Sequence, residues 1–273
     1  MAFPGRFIYP TLALFLFVFA CSTVPYTERK QIMMLSEGEE EKVGQSLFTQ
    51  VKKESRISQS PEYNALVNEV GRRIASVAEK PDYQWEFVVI EDKSRNAFAL
   101  PGGKVAFYTG IMPVCADENG VATVTGHEVA HVLARHGAER MSQQQALAVG
   151  KAALFAAIDG GNPATMEAIQ QAYGIGAQVG VLLPYSRKHE SEADRIGLIL
   201  MAKAGYNPEA AVEFWKRMAA SGGKGSGIEL LSTHPSDEQR IKGLQAALPE
   251  AMKYYQTAIA ANPALQRPPL AVR

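Results

Sequence analysis

The amino-acid sequence predicts an α+β fold that is mostly α-helical, with one small β-sheet. Three observations carry that prediction. Apolar residues recur at helical spacing on both sides of residues 83–111. Strand-like runs around a Pro-Gly-Gly turn fall inside that window. Directly after it, residues 118–141 are apolar on nearly every side, the pattern of a buried helix.

Composition excludes several classes. The 273 residues carry 28 Lys+Arg against 28 Asp+Glu, so no net positive charge offers a footprint for nucleic acid. At 47% hydrophobic, the chain is too apolar to be disordered. Two cysteines without C-x-x-C spacing rule out a disulfide-dense scaffold and a cysteine zinc site.

The chain opens with an address. Arg6 is the only charge in residues 1–20, and the apolar run from Phe7 to Ala20 is 14 residues long. A membrane-spanning helix needs about 20, so the pattern is that of a secretory signal. Cys21 follows Val18, Phe19 and Ala20, which resembles a bacterial lipobox and makes Cys21 the lipid-modified residue. Ser22, rather than Asp, follows it, which points to the outer membrane. An uncleaved anchor and a plain secretory signal are the alternatives. Residues 21–35 read as a tether, and Cys115, left without a partner, reads as a buried core thiol.

Ser36 with Glu39 three residues later makes a capping box, and Val43, Leu47, Phe48 and Val51 continue a helix over 36–54. A second helix opens at Pro61 and carries Leu66, Val67, Val70, Ile74 and Val77 inward, with Arg72 and Arg73 on a solvated face. Residues 85–90 read as a strand; 96–100 and 104–109 read as two short strands around a turn. After the buried helix come Ala-, Gly- and Val-rich helices over 143–158 and 164–181. Lys151, Asp159 and Glu167 argue against their crossing a membrane. Helices follow over 189–204 and 208–220, then a glycine-rich loop over 222–227. Residues 249–273 read as a C-terminal helix and a Pro-rich tail that frays after Asn262.

The chemistry sits in the buried helix, at His127-Glu128-Val129-Ala130-His131. Histidines at i and i+4 share a face, about 6 Å apart at Cβ, so both rings reach one metal ion. Glu128 lies about 100° around the helix, where a carboxylate can act on metal-activated water. Zinc fits this donor set. Two histidines and a glutamate in an apolar helix would otherwise be costly to bury.

A third ligand is required. His136 lies about 140° around a continuous helix from His131 and so points away. Glu190 is the better candidate. Asp194 shares its face at i+4 and can hold the far nitrogen of a histidine ligand. Glu192 lies on the opposite side of that helix and reads as a solvated carboxylate.

Six blocks in order carry a resemblance: Asn96 to Gly103, His127 to His131, Arg135-His136-Gly137, Tyr185 to Arg187, Glu190 to Asp194, and Thr233-His234-Pro235. Over roughly residues 28–248 the chain resembles the zinc metallopeptidases related to the CAAX prenyl endopeptidases, of the HtpX, BepA and mitochondrial Oma types. The resemblance implies a gluzincin core spanning 36–248. It implies one zinc ion on His127, His131 and Glu190, with Glu128 as general base. Asp194 would orient a ligand, His234 would approach the reacting centre, and Arg240 would hold that region. Asn96, Ala97, Phe98 and Ala99 would offer a strand edge to an extended polypeptide substrate. The expected activity is metalloendopeptidase cleavage of misfolded or unassembled envelope proteins, on the periplasmic side and tethered by lipid. The competing expectation is an envelope chaperone-like protein with a latent or structural zinc site. This chain lacks the several membrane spans of the family's polytopic members. The helical repeats of the BepA type are not expected to follow the core.

Overall fold

A computed structural model describes residues 21–157, 183–221 and 238–272, the side chains of 21, 149–157 and 183–186 excepted. Among the described residues, no helix is long and apolar enough to cross a membrane.

The first described residues form a hairpin that was not expected. Strand β1 (Cys21–Thr23) pairs antiparallel with β2 (Lys30–Ile32), Cys21 opposite Ile32. Residues 21–35 are therefore folded rather than a bare tether, and the β structure is not confined to residues 83–111. Helix α1 (Glu37–Glu54) follows, with the predicted Ser36–Glu39 capping box in place. Helix α2 (Pro61–Ser76) starts on a Ser60 cap with proline in its first turn. Arg73 is not simply solvated: it donates to the Ala204 carbonyl at 2.7 Å and lies over the Tyr206 ring.

Strands β3 (Glu86–Ile90), β4 (Ala97–Leu100) and β5 (Lys104–Tyr108) form a sheet of order β3-β5-β4. β3 runs parallel to β5, and β4 runs antiparallel to it with Ala97 opposite Phe107. β4 is therefore an edge strand. A 3₁₀ turn and a short helix, α3 (Met112–Cys115), lead to the histidine helix α4 (Glu118–Leu133). Asp117 caps α4, its carboxylate accepting from the amides of Asn119 and Gly120. Cys115 is fully buried in the core, as expected.

The helix expected over 118–141 is two. α4 stops at Leu133, Arg135 takes φ +56°, and α5 (His136–Ala157) runs on without the expected break near residue 142. A positive φ is costly for a residue with a Cβ. It is held here because the Arg135 guanidinium pairs with Glu40 and donates to the Leu35 carbonyl at 2.8 Å. The helix expected over 164–181 and the glycine-rich loop at 222–227 lie outside the described residues.

Helix α6 (Leu183–Lys203) starts earlier than expected; α7 (Glu209–Ala220) and α8 (Glu238–Ala261) complete the described helices. α4 packs against α2, α6, α7 and the edge strand β4. It meets α6 at two glycines. A Cβ on Gly126 would sit 2.8 Å from the Gly197 carbonyl oxygen, and one on Gly197 would sit 2.9 Å from the His127 amide. The tail does not fray. Leu270 accepts from the Glu118 amide at 2.8 Å, and the Val272 amide donates to Ala116 at 2.9 Å.

Candidate metal centre

Three side chains converge between α4 and α6. His127 Nε2 is 3.1 Å from His131 Nε2. The two Glu190 oxygens are 3.2 Å from His127 Nε2 and 3.4 Å from His131 Nε2. Nitrogen and oxygen ligands bound to tetrahedral zinc at 2.0–2.1 Å stand about 3.3 Å apart. The donor set and its spacing thus fit one such ion. The close contact of Gly126 with Gly197 makes this possible, because it draws the two helix backbones together where their ligands must meet.

The surroundings fix which nitrogens face the centre. His127 Nδ1 is 3.0 Å from Asp194 Oδ1, so its N–H is donated there and Nε2 is left for the metal. Burial and the nearby Arg240 charge both disfavour the imidazolium. Hydrogen bonds to Asp194 and Glu190 outweigh them and lift His127 to about 9 without a metal. Burial would raise the Asp194 carboxyl, but Arg240 and His127 bring it below its ordinary value. Arg240 donates to Asp194 at 2.6 Å and to Glu190 at 3.3 Å, and stacks 3.5 Å above Trp215. Its guanidinium joins α8 to the ligand helix.

Glu128 is 2% exposed and directly follows His127 on α4. Ala97 is buried, and Phe98, Ala99 and Leu100 are half-buried along β4, which is an edge strand among the described residues. Ala99 and His131 line the same cavity of about 50 Å³, so the strand edge borders the ligand side of α4. The Asn96 carbonyl accepts from the Tyr108 amide, which anchors the start of β4. His234 and the Cys21 side chain lie outside what the structure describes.

Two expectations are overturned. His136 does not point away: its Nδ1 is 2.9 Å from His131 Nδ1, because the turn at Arg135 brings the start of α5 back over α4. Glu192 is not solvated. It is 8% exposed, and it accepts from Thr27, from Arg29 Nε at 2.8 Å and from His136 Nε2 at 3.0 Å. Burial pushes His136 down to about 4 against the pull of Glu192, so the ring is neutral at pH 7.

Beside this pair lies a second one. His189, adjacent to Glu190, places Nε2 2.9 Å from Glu139 and stacks on His136 with centroids 4.2 Å apart. Arg29, on the N-terminal hairpin, grips Glu139 with both terminal nitrogens at 2.9 and 2.7 Å. Sequence reasoning missed Thr27, Arg29, Glu139 and His189. The one available signal was acidic residues at 139 and 192 beside histidines at 136 and 189.

The description of peptidase family M48 matches residues 61–248. The chain is 39% identical over 232 residues to mitochondrial metalloendopeptidase OMA1 of Schizosaccharomyces pombe, covering 84% of this chain and 66% of that protein. It is 31% identical over 206 residues to a putative beta-barrel assembly-enhancing protease of Vibrio cholerae, covering 72% of this chain and 42% of the relative. The beta-barrel assembly-enhancing protease of Escherichia coli is 28% identical over 230 residues, covering 82% and 47%. The chain therefore spans between two fifths and two thirds of the length of these three relatives. With a family match over most of its length and the histidine and glutamate donors converging inside it, the chain belongs to peptidase family M48.

Proposed function

We propose that this chain is a zinc-dependent metalloendopeptidase. One zinc ion is held by His127, His131 and Glu190, and Glu128 is the general base. The observation that carries this reading is the convergence of three side chains, with donor atoms 3.1–3.4 Å apart, beside a buried glutamate. Bound there, zinc supplies Lewis-acid polarisation of the scissile carbonyl and of the attacking water.

The remaining work falls to the chain's own residues. Glu128 takes a proton as the water oxygen bonds to the carbonyl carbon, then delivers it to the amide nitrogen as the C–N bond breaks. Asp194 fixes the tautomer of His127. Arg240 holds Glu190 and Asp194 in register, and His234 steadies the developing oxyanion. The edge of β4 receives an extended substrate through main-chain hydrogen bonds, which suits cleavage of many sequences. The substrates are misfolded or unassembled envelope proteins. The site faces the periplasm and is tethered to the outer membrane through lipid on Cys21. The beta-barrel assembly-enhancing names of two relatives support an envelope role.

The test is cleavage of an unfolded reporter protein by the wild type and by Glu128→Gln, with zinc content measured on both. The glutamine variant is expected to lose cleavage by at least about 100-fold while keeping its zinc. Full activity in that variant overturns the assignment.

A further inference from the structure

We propose that Arg29, on the N-terminal hairpin, is a positioning residue for the metal centre and acts through two buried carboxylate–histidine pairs. The inference rests on His127, His131 and Glu190 being the metal ligands.

The path begins at His131. Its Nε2 faces His127 and Glu190, so a ligand role requires the proton on Nδ1. That N–H has His136 Nδ1 as an acceptor at 2.9 Å. His136 must then carry its own proton on Nε2, and it donates this to Glu192 at 3.0 Å. One consistent set of tautomers thus runs from the ligand ring to a buried carboxylate. His127 reaches its carboxylate, Asp194, directly; His131 reaches one through an intervening imidazole.

A second path supports the third ligand. His189 precedes Glu190 on α6, donates to Glu139 and stacks flat on His136. The two imidazoles therefore form one block against the ligand side of α4 and α6. Glu139, His136 and His189 are each no more than 2% exposed.

Both paths end on the same guanidinium. Arg29 makes a two-pronged pair with Glu139 and donates its Nε to Glu192, while Thr27 from the same hairpin donates to Glu192. Among the described residues no lysine and no other arginine pairs with either carboxylate. A planar fork with five donors can bridge two carboxylates in fixed directions; a lysine ammonium cannot. Removing it leaves two buried carboxylates side by side, and they must separate or draw in water. Either movement tilts His136 and His189, and with them His131 and Glu190. The hairpin at residues 21–32 is by this route part of what holds the metal ligands in place.

Zinc affinity is measured by competition with a chromogenic chelator on Arg29→Ala, Arg29→Lys and the near-isosteric Thr27→Val. Cobalt-substituted absorption spectra report the ligand geometry. Lys30→Ala is the control: it is on the same hairpin but exposed, and among the described residues its side chain bonds only to Thr23. Arg29→Ala is expected to weaken zinc binding 10- to 100-fold with folded circular dichroism retained, as supporting-partner losses do. Arg29→Lys should recover only part of that, Thr27→Val should weaken binding a few-fold, and Lys30→Ala should change nothing. The cobalt spectrum should shift in the first three. Should Arg29→Ala fail to fold, Arg29→Lys and Thr27→Val decide the matter. Zinc affinity within twofold of wild type and an unchanged cobalt spectrum in the folded variants overturn the proposal. Because these readouts need no catalysis, they separate it from the peptidase reading, which stands or falls on Glu128→Gln.

Discussion

His136 Nδ1 sits 2.9 Å from His131 Nδ1 although the two are five positions apart, and the reason is the positive φ of the intervening Arg135. A continuous helix would turn His136 about 140° away from His131. The turn ends α4, restarts the chain as α5 and returns the imidazole to His131. The same geometry indicates which substitutions will disturb the centre.

Arg135 is held in its strained conformation by Glu40, buried beneath it. Arg135→Ala leaves that carboxylate without its cation and is expected to cost about 3 kcal/mol of stability. The double variant Arg135→Ala, Glu40→Gln should cost less than the two single changes summed. Urea unfolding of the four proteins measures both.

Gly126 and Gly197 set the distance between the two ligand helices. Gly126→Ala places a methyl group 2.8 Å from the Gly197 carbonyl oxygen, and backbone cannot give way cheaply. The expected cost is about 1–3 kcal/mol in thermal or urea melts. A loss of zinc affinity should accompany it, since Glu190 rides on α6 and the histidines on α4. Gly137, with nothing near its would-be Cβ, is the contrasting site at which alanine should be tolerated in packing terms.

Glu190→Ala is expected to abolish zinc binding, whereas Glu192→Ala should weaken it about 10- to 100-fold. A solvated Glu192 would have predicted no effect, so its contacts with His136 and Arg29 change the expected result. Zinc content after dialysis distinguishes the outcomes.

Acid should loosen the hairpin. Burial pushes the Glu139 carboxyl upward from 4.5, but His189 and Arg29 hold it at about 2. A carboxyl lowered on folding stabilises the fold above its ordinary value, and loses that contribution as pH falls from 4.5 toward about 2. Stability should drop through this window in the wild type. Glu139→Gln should start less stable at neutral pH and show a flatter decline. Melting temperatures between pH 7 and pH 3 are the measurement.

Cys21→Ser is expected to move the chain from the membrane fraction to the soluble fraction without altering zinc content. Fractionation followed by metal analysis checks both statements.

Much of the architecture was legible in the sequence because it is local. The Ser36–Glu39 box, the Pro61 start and the strands around Pro101 are each specified within a few residues. That His127 and His131 would share a face followed from helical spacing, and Glu190 was picked out by Asp194 at i+4; the structure brings all three together. What stayed hidden depends on distant partners. Three-residue strands such as Cys21–Thr23 carry no periodicity to read. Arg135 has no propensity for positive φ and adopts it only because Glu40, 95 positions away, holds its side chain. Glu192 looks solvated until the hairpin, more than 160 positions earlier, covers it. The tail looked frayed because its pairing with residues 116–118 spans most of the chain.

That last pairing has a bearing on timing. The amide of Glu118, in the first turn of the histidine helix, is satisfied by the carbonyl of Leu270, and Arg240 must reach back 46 positions to Asp194. A ribosome extends the chain from its N-terminal end. While it does so, the ligand helix exists without its Arg240 brace and without its Leu270 acceptor. The His127–His131–Glu190 group thus gains its last supports only once the chain has been made through residue 270.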